Sequence, residues 1–106
     1  MLTSEMKEKC RLDATINMVR MCILEKGQDS IPRLLSTFNT AFQVGNVLMP
    51  RPESHDDRVI IEIANVANQG TRTALELRVV YAATVVILAE LRLARQLKEL
   101  GVTIIA

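Results

Sequence analysis

The side chains best suited to chemistry in this sequence are two cysteines and one histidine. Cys10 and Cys22 are twelve positions apart in a stretch with helical periodicity, and His55 is far from both along the chain. A rise of about 1.5 Å per residue separates the two thiols by about 18 Å, which no intrachain disulfide can span. One histidine and two distant cysteines also cannot complete a tetrahedral zinc site. The sequence therefore predicts no metal and no cofactor.

A serine, a histidine and an aspartate occur close together, at Ser54, His55 and Asp57. Neighbours in sequence cannot converge across a pocket as nucleophile, base and orienting acid. The same segment fits the start of a helix, because Ser54 and Asp57 approximate a capping box and Asp56 suits the positive end of the helix dipole. The four glycines lie at element boundaries and form no phosphate-binding loop. We therefore predict no catalytic residues and no enzymatic activity.

The composition argues against proteins that bind nucleic acids or membrane surfaces. The chain has 106 residues, of which 49% are hydrophobic but only 3% aromatic. Scarce aromatic rings disfavour modules that bind single-stranded nucleic acid by base stacking. The formal net charge of +1 is far from the basic balance of a general nucleic-acid or membrane-surface binder. We expect one helical domain over residues 1–106, with neither a membrane nor a nucleic acid as partner.

The N-terminal segment and the cysteines favour a cytoplasmic location. Residues 1–9 are polar where a signal peptide carries an apolar core. The longest apolar run, residues 79–89, is about half the length of a membrane span. Two buried, reduced thiols are the expected state of Cys10 and Cys22 in the cytoplasm, and the alternative, an interchain disulfide, needs a paired copy of the same helix.

Helical periodicity and capping signals predict an all-α fold: a four-helix bundle-like domain with a long central C-terminal helix, completed by oligomerisation. The expected helices run from Ser4 to Lys26, from Ile31 to Gly45, from His55 to Gly70 and from Thr73 to Gly101, with Gly27 left-handed after the first. The alternative is an α+β fold in which residues 58–64 and 102–106 form short strands, because residues 58–64 are rich in β-branched side chains.

The first helix carries two apolar stripes, whereas a surface helix of a small monomer needs only one. One stripe consists of Leu12, Ile16, Val19 and Ile23. The other, more than 100° away, consists of Met6, Cys10, Ala14, Met21 and Leu24. Such a helix is expected to be sandwiched, either within its own chain or between its own chain and another copy. We predict that a partner binds the first stripe and the apolar connector residues Val47, Leu48 and Met49.

The fourth helix has a heptad pattern, which is typical of helices that pair along their length. We define its heptad face as the eight residues Leu75, Val79, Ala82, Val86, Ala89, Leu93, Gln96 and Leu100. The two alanines allow another helix to approach closely, parallel or antiparallel. A second stripe on about the opposite side consists of Leu77, Tyr81, Thr84, Leu88 and Leu91. We therefore expect this helix to be the central element and to be buried nearly all round.

This surplus of apolar faces predicts a small non-enzymatic protein that forms a homodimer or higher oligomer. It would act by binding a protein target, as a regulator, inhibitor or adaptor. The alternative is a protein that binds a nucleotide-like anion in a pocket between helices or subunits. The candidate ligand-binding residues for that alternative are Arg72, Arg78, Tyr81 and Thr84.

Overall fold

A computed structural model of the chain describes residues 3–45 and 51–102. Its four α-helices are α1 (Ser4–Lys26), α2 (Ile31–Val44), α3 (His55–Gly70) and α4 (Ala74–Glu99), with a 3₁₀ turn, Gln28–Ser30, before α2. The described residues contain no β-strand, so the all-α prediction is confirmed. Residues 58–64 lie inside α3, so the α+β alternative is wrong. The connector residues Val47, Leu48 and Met49 and residues 103–106 lie outside the described residues.

Three of the helices begin with side-chain caps, for which the sequence predicts Thr3 or Ser4, Ser54 and Thr73. In each, a hydroxyl accepts a hydrogen bond of 3.1–3.2 Å from the backbone N–H three residues later, and the capping residues are Thr3, Ser54 and Thr73. Such a bond satisfies a donor that the first helical turn leaves unpaired. Ser30, before α2, instead bonds to Asp56 of α3, which also pairs with Arg33 at 2.8 Å. These contacts hold the starts of α2 and α3 together.

The glycines that end α1 and α2 do so for different reasons. Gly45 has a φ of 75° and ends α2 in the left-handed region, at the residue where the sequence predicts the helix to end. Gly27 has a φ of −109°, so the prediction of a left-handed residue there is wrong. A Cβ atom at Gly27 would lie 2.8 Å from Cδ1 of Leu34. A larger residue at this position would therefore displace the Leu34 side chain, because α2 approaches the end of α1 closely.

Contacts between the helices fix their directions. Arg11 of α1 pairs with Glu76 near the start of α4, and Arg20 pairs with Glu90 further along, so α1 and α4 run in the same direction. Arg11 also donates a hydrogen bond to the carbonyl of Gly70, the last residue of α3. Helix α3 is therefore antiparallel to α1. Helix α4 contacts all three other helices, as does α3.

The core is centred on an aromatic pair between α2 and α4. Phe38 is fully buried, and its ring meets the ring of Tyr81 edge-on with centroids 5.6 Å apart. Phe42, one turn later in α2, contacts Arg78, which precedes Tyr81 in α4, so α2 is antiparallel to α4. The pair is surrounded by buried aliphatic side chains from all four helices, among them Val19, Ile23, Leu34, Ile63, Val80 and Leu88. One continuous core thus forms inside a single chain.

A half-buried ion pair joins the start of α4 to α1. Nη2 of Arg11 donates to both carboxylate oxygens of Glu76, at 2.6 and 3.0 Å. The backbone N–H of Arg72 donates to the same carboxylate at 3.1 Å. The hydrogen bond from Arg11, followed by that from Arg72, holds the pKa of Glu76 below its ordinary value. The same ion pair raises the pKa of Arg11.

We expect Glu76→Gln to destabilise the protein at neutral pH and to have no effect in strong acid. A carboxylate whose pKa is lowered by folding stabilises the fold above its unfolded-state pKa, and this contribution is lost as the pH falls through the folded-state pKa. Urea unfolding of wild type and variant between about pH 7 and about pH 2 measures the difference in free energy of unfolding. A difference that stays constant over this range would contradict the role given to the ion pair.

Candidate functional site

The heptad face of α4 is exposed at every position except Ala82. Its large apolar members Leu75, Val79, Val86, Leu93 and Leu100 are 73%, 45%, 55%, 55% and 77% exposed. Of the smaller and polar members, Ala82 is half-buried, and Ala89 and Gln96 are exposed. Scattered apolar residues are normal on protein surfaces, whereas an apolar row that follows one side of a helix is a candidate interaction surface.

The opposite side of α4 lies in the core. Its buried residues are Val80, Tyr81, Thr84, Ile87 and Leu88. At 100° per residue, the mean directions of this row and of the heptad face differ by about 180°. The expectation that α4 is buried nearly all round is therefore corrected. Within the described part of the chain, α4 buries one of its two apolar sides and presents the other to solvent.

Two glutamates border the heptad face on the side towards α1, and both have partners in their own chain. Glu76 is held by Arg11, and Glu90 lies 3.6 Å from Nη2 of Arg20. The pair at Glu90 is largely exposed, with side-chain exposures of 42% and 60%. The acidic charge along this border is thus balanced by α1.

The border towards α2 carries charges that are more accessible. Arg78 lies with its guanidinium carbon 5.9 Å from the centroid of the Phe42 ring, a cation–π contact. Arg92 is exposed. Glu99 is 70% exposed and lies 3.8 Å from Nε of Arg95, one turn earlier in the helix. This border therefore has positive charges at Arg78 and Arg92 and a negative charge at its end, at Glu99.

No family model, curated protein or solved structure matches this chain. The function is therefore inferred from its surfaces and side chains. None of the helices in the described residues combines the length and the apolar character needed to cross a bilayer. In the same residues, histidine, cysteine, aspartate and glutamate side chains do not group in threes as a metal site would require.

The structure reverses the assignment of the two stripes of α1. Val19 and Ile23, predicted to bind a partner, are fully buried in the core of their own chain. Leu12 and Ile16 are half-buried against the same core. The prediction is corrected because this stripe is covered by α3 and α4. The other stripe is on the outside, with Met6 and Met21 49% and 53% exposed and with Cys10 and Ala14 also exposed.

A groove between α1 and α3 adds a second apolar surface. It has a volume of about 490 Å³, and its walls include Met18, Met21, Cys22, Glu62 and Val66. Burial, and secondly the nearby carboxylate of Glu62, raise the pKa of the Cys22 thiol. A raised pKa disfavours the thiolate, which is the nucleophilic form of cysteine. Both cysteines are free, but Cys10 is exposed, contrary to the prediction of two buried thiols.

The four residues proposed for an anionic ligand do not line one pocket. Arg78 and Tyr81 border a cavity of about 80 Å³ at the start of α4. Thr84 is fully buried, and its hydroxyl donates to the carbonyl of Val80 at 2.8 Å. Arg72 binds Glu76 through its backbone N–H. Pockets for small-molecule ligands are typically about 300–1,000 Å³, so this cavity is too small for a nucleotide.

The serine, histidine and aspartate at the start of α3 make structural contacts. Ser54 caps the helix by accepting from the N–H of Asp57 at 3.2 Å. Nε2 of His55 donates to the carbonyl of Lys26 at 2.9 Å. Because His55 thereby satisfies a carbonyl in the last turn of α1, it joins the start of α3 to the end of α1.

Proposed function

We propose that this chain is a non-enzymatic helical protein that acts by protein–protein interaction, as a homodimer built on the heptad face. In this role it would serve as a small regulator, inhibitor or adaptor. The observation that carries the proposal is the exposed heptad face directly opposite a complete core. A heptad pattern is not needed to hold α4 in its own chain, because the other side of the helix already does so.

The proposal assigns separate surfaces to self-association and to a protein target. The outer stripe of α1 and the neighbouring groove are rich in methionine, and Met18 is 57% exposed. Methionine side chains are flexible and polarisable, and proteins use them on surfaces that adapt to different partners. These residues lie outside the heptad face, so a dimer formed through α4 leaves them available.

The two free cysteines suit a reducing compartment, and we place the protein in the cytoplasm within this proposal.

The wild-type protein is expected to elute as a dimer, with a mass of twice the 11.8 kDa of one chain. An association through one helix face is concentration-dependent, so dilution should shift the mass towards that of the monomer. Size-exclusion chromatography with light scattering measures the mass at each step of a dilution series from about 100 μM to below 1 μM. This range includes the dissociation constants that are typical of such interfaces. A monomer at every concentration would overturn the proposed function.

A further inference from the structure

We propose that the two copies pair through α4 in an antiparallel arrangement whose two-fold axis passes between residues 87 and 88. The inference rests on the proposed function and specifies the orientation and register of its interface. In this register, two residues of the heptad face lie opposite each other across the dimer when their residue numbers add up to 175. The whole face from Leu75 to Leu100 is then used, because its midpoint coincides with the axis.

Side-chain volumes match in this arrangement. Ala82 lies opposite the partner's Leu93, and Val86 lies opposite the partner's Ala89. Leu75 at one end lies opposite the partner's Leu100. Every alanine thus meets a larger side chain, and the layers near the axis have similar volumes, as close helix packing requires. Gln96, the polar member of the face, lies opposite the partner's Val79 near the rim, where its amide remains within reach of water.

Charges on the border towards α2 favour the same register. Residues that flank the heptad face pair with sums two above or two below 175, and on the border towards α2 the sum is 177. Arg78 therefore lies opposite the partner's Glu99, and symmetry produces this attractive pair twice in each dimer. Both side chains are accessible in the single chain, since Arg78 is exposed and Glu99 is 70% exposed. Arg92 lies opposite the partner's Val85, so it meets no like charge. On the border towards α1, the glutamates lie opposite the partner's Leu97 and the partner's Ala83.

Antiparallel registers shifted by one heptad bring like charges together. A shift in one direction places Arg78 opposite the partner's Arg92 and Glu76 opposite the partner's Glu90. A shift in the other direction places Arg92 opposite the partner's Arg92 and Glu90 opposite the partner's Glu90. Like charges across an interface oppose association and set specificity. The unshifted register avoids every such pair, so the charge pattern selects it.

A parallel pair fits less well. In register, it would place each alanine of the heptad face opposite the same alanine of the second copy, between layers of paired leucine or valine. Such alternation leaves gaps at the alanine layers, because the larger layers hold the helices apart. Arg78 would face the partner's Ala83, and Arg92 would face the partner's Leu97, so no attractive pair forms. The antiparallel arrangement therefore has both the better packing and the better charge pattern.

The test uses two full-length charge-reversal variants, Arg78→Glu and Glu99→Lys, alone and mixed. Each variant alone carries two like-charge pairs in its homodimer, so its dissociation constant should rise by about tenfold. In an equimolar mixture both pairs again join opposite charges. The mixture should therefore form a heterodimer with an affinity within about threefold of wild type. Analytical ultracentrifugation, with one variant labelled with a fluorophore, measures both values.

The control is Arg92→Glu, which reverses a charge in the same row that has no charged residue opposite it. Its dissociation constant should change by less than about threefold. Recovery on mixing also shows that each single variant is folded. Suppose that wild type is a dimer but the variants have its dissociation constant, or that mixing the weakened variants does not restore affinity. Either result would overturn the antiparallel register and leave the proposed function standing. A monomeric wild type would overturn both.

Discussion

Replacing Val86 with aspartate is expected to convert the dimer into a folded monomer. Val86 is 55% exposed in the single chain, so the substitution costs the monomer little. In the dimer it lies next to the two-fold axis, opposite the partner's Ala89, and each dimer would bury two carboxylates without a partner. Burial of an unpaired charge costs several kcal/mol, so the dissociation constant should rise by at least about 100-fold.

Val44→Asp is the matched control for this prediction. Val44 is 62% exposed near the end of α2 and lies outside the heptad face. The same change of residue there should leave the dimer intact. Light scattering reports the mass of each variant, and circular dichroism shows whether its helices persist. If Val86→Asp remained a dimer at the concentrations where wild type is one, the heptad face would not be the interface.

Gly70→Ala is expected to destabilise the protein by about 2 kcal/mol, although alanine favours helix by about 1 kcal/mol over glycine. Gly70 is the last residue of α3, and a Cβ atom there would overlap the side chain of Thr15 in α1. The overlap includes Cβ of Thr15, at 2.7 Å, so rotation of the side chain cannot relieve it. The helices would have to separate, which would lengthen the 2.6 Å hydrogen bond from Arg11 to the carbonyl of Gly70.

Two further variants identify the cause of this loss. Gln69→Ala changes the exposed residue just before Gly70 and should alter the free energy of unfolding by less than about 0.5 kcal/mol. The double variant Thr15→Ala with Gly70→Ala should recover part of the loss, because two of the three overlapping atoms are removed. Urea unfolding measures all three. A Gly70→Ala variant as stable as wild type would show that α1 and α3 do not approach this closely.

Helix boundaries and fold class were predictable because local signals specify them. A hydroxyl cap such as Thr73 bonds to a backbone N–H only three residues away. The left-handed Gly45 bonds to a carbonyl in the last turn of α2. The two apolar sides of α4 were also visible from periodicity. Which of the two sides is buried could not be predicted, because both are apolar. The choice depends on which side packs against Phe38 of α2. The same ambiguity reversed the assignment of the two stripes of α1.

Features that depend on close approach between distant segments could not be predicted. The close approaches at Gly27 and Gly70 involve Leu34 and Thr15, which lie on other helices. The ion pair between Arg11 and Glu76 joins residues 65 positions apart. One sequence records the residue types at such positions but not their proximity. For this reason the residues proposed for a ligand do not line one pocket within the chain, since Thr84 and Arg78 share a helix but not a direction.

The position of Tyr81 separates folding from association in a way that can be observed optically. The chain has one tyrosine and no tryptophan, so Tyr81 dominates its near-ultraviolet absorbance and emission. The ring is 3% exposed, against Phe38, on the side of α4 that faces away from the heptad face. Dissociation of the proposed dimer leaves these surroundings unchanged, whereas unfolding exposes the ring to water. The intrinsic signal therefore follows the folding equilibrium alone, and a label on the heptad face can follow assembly in the same sample.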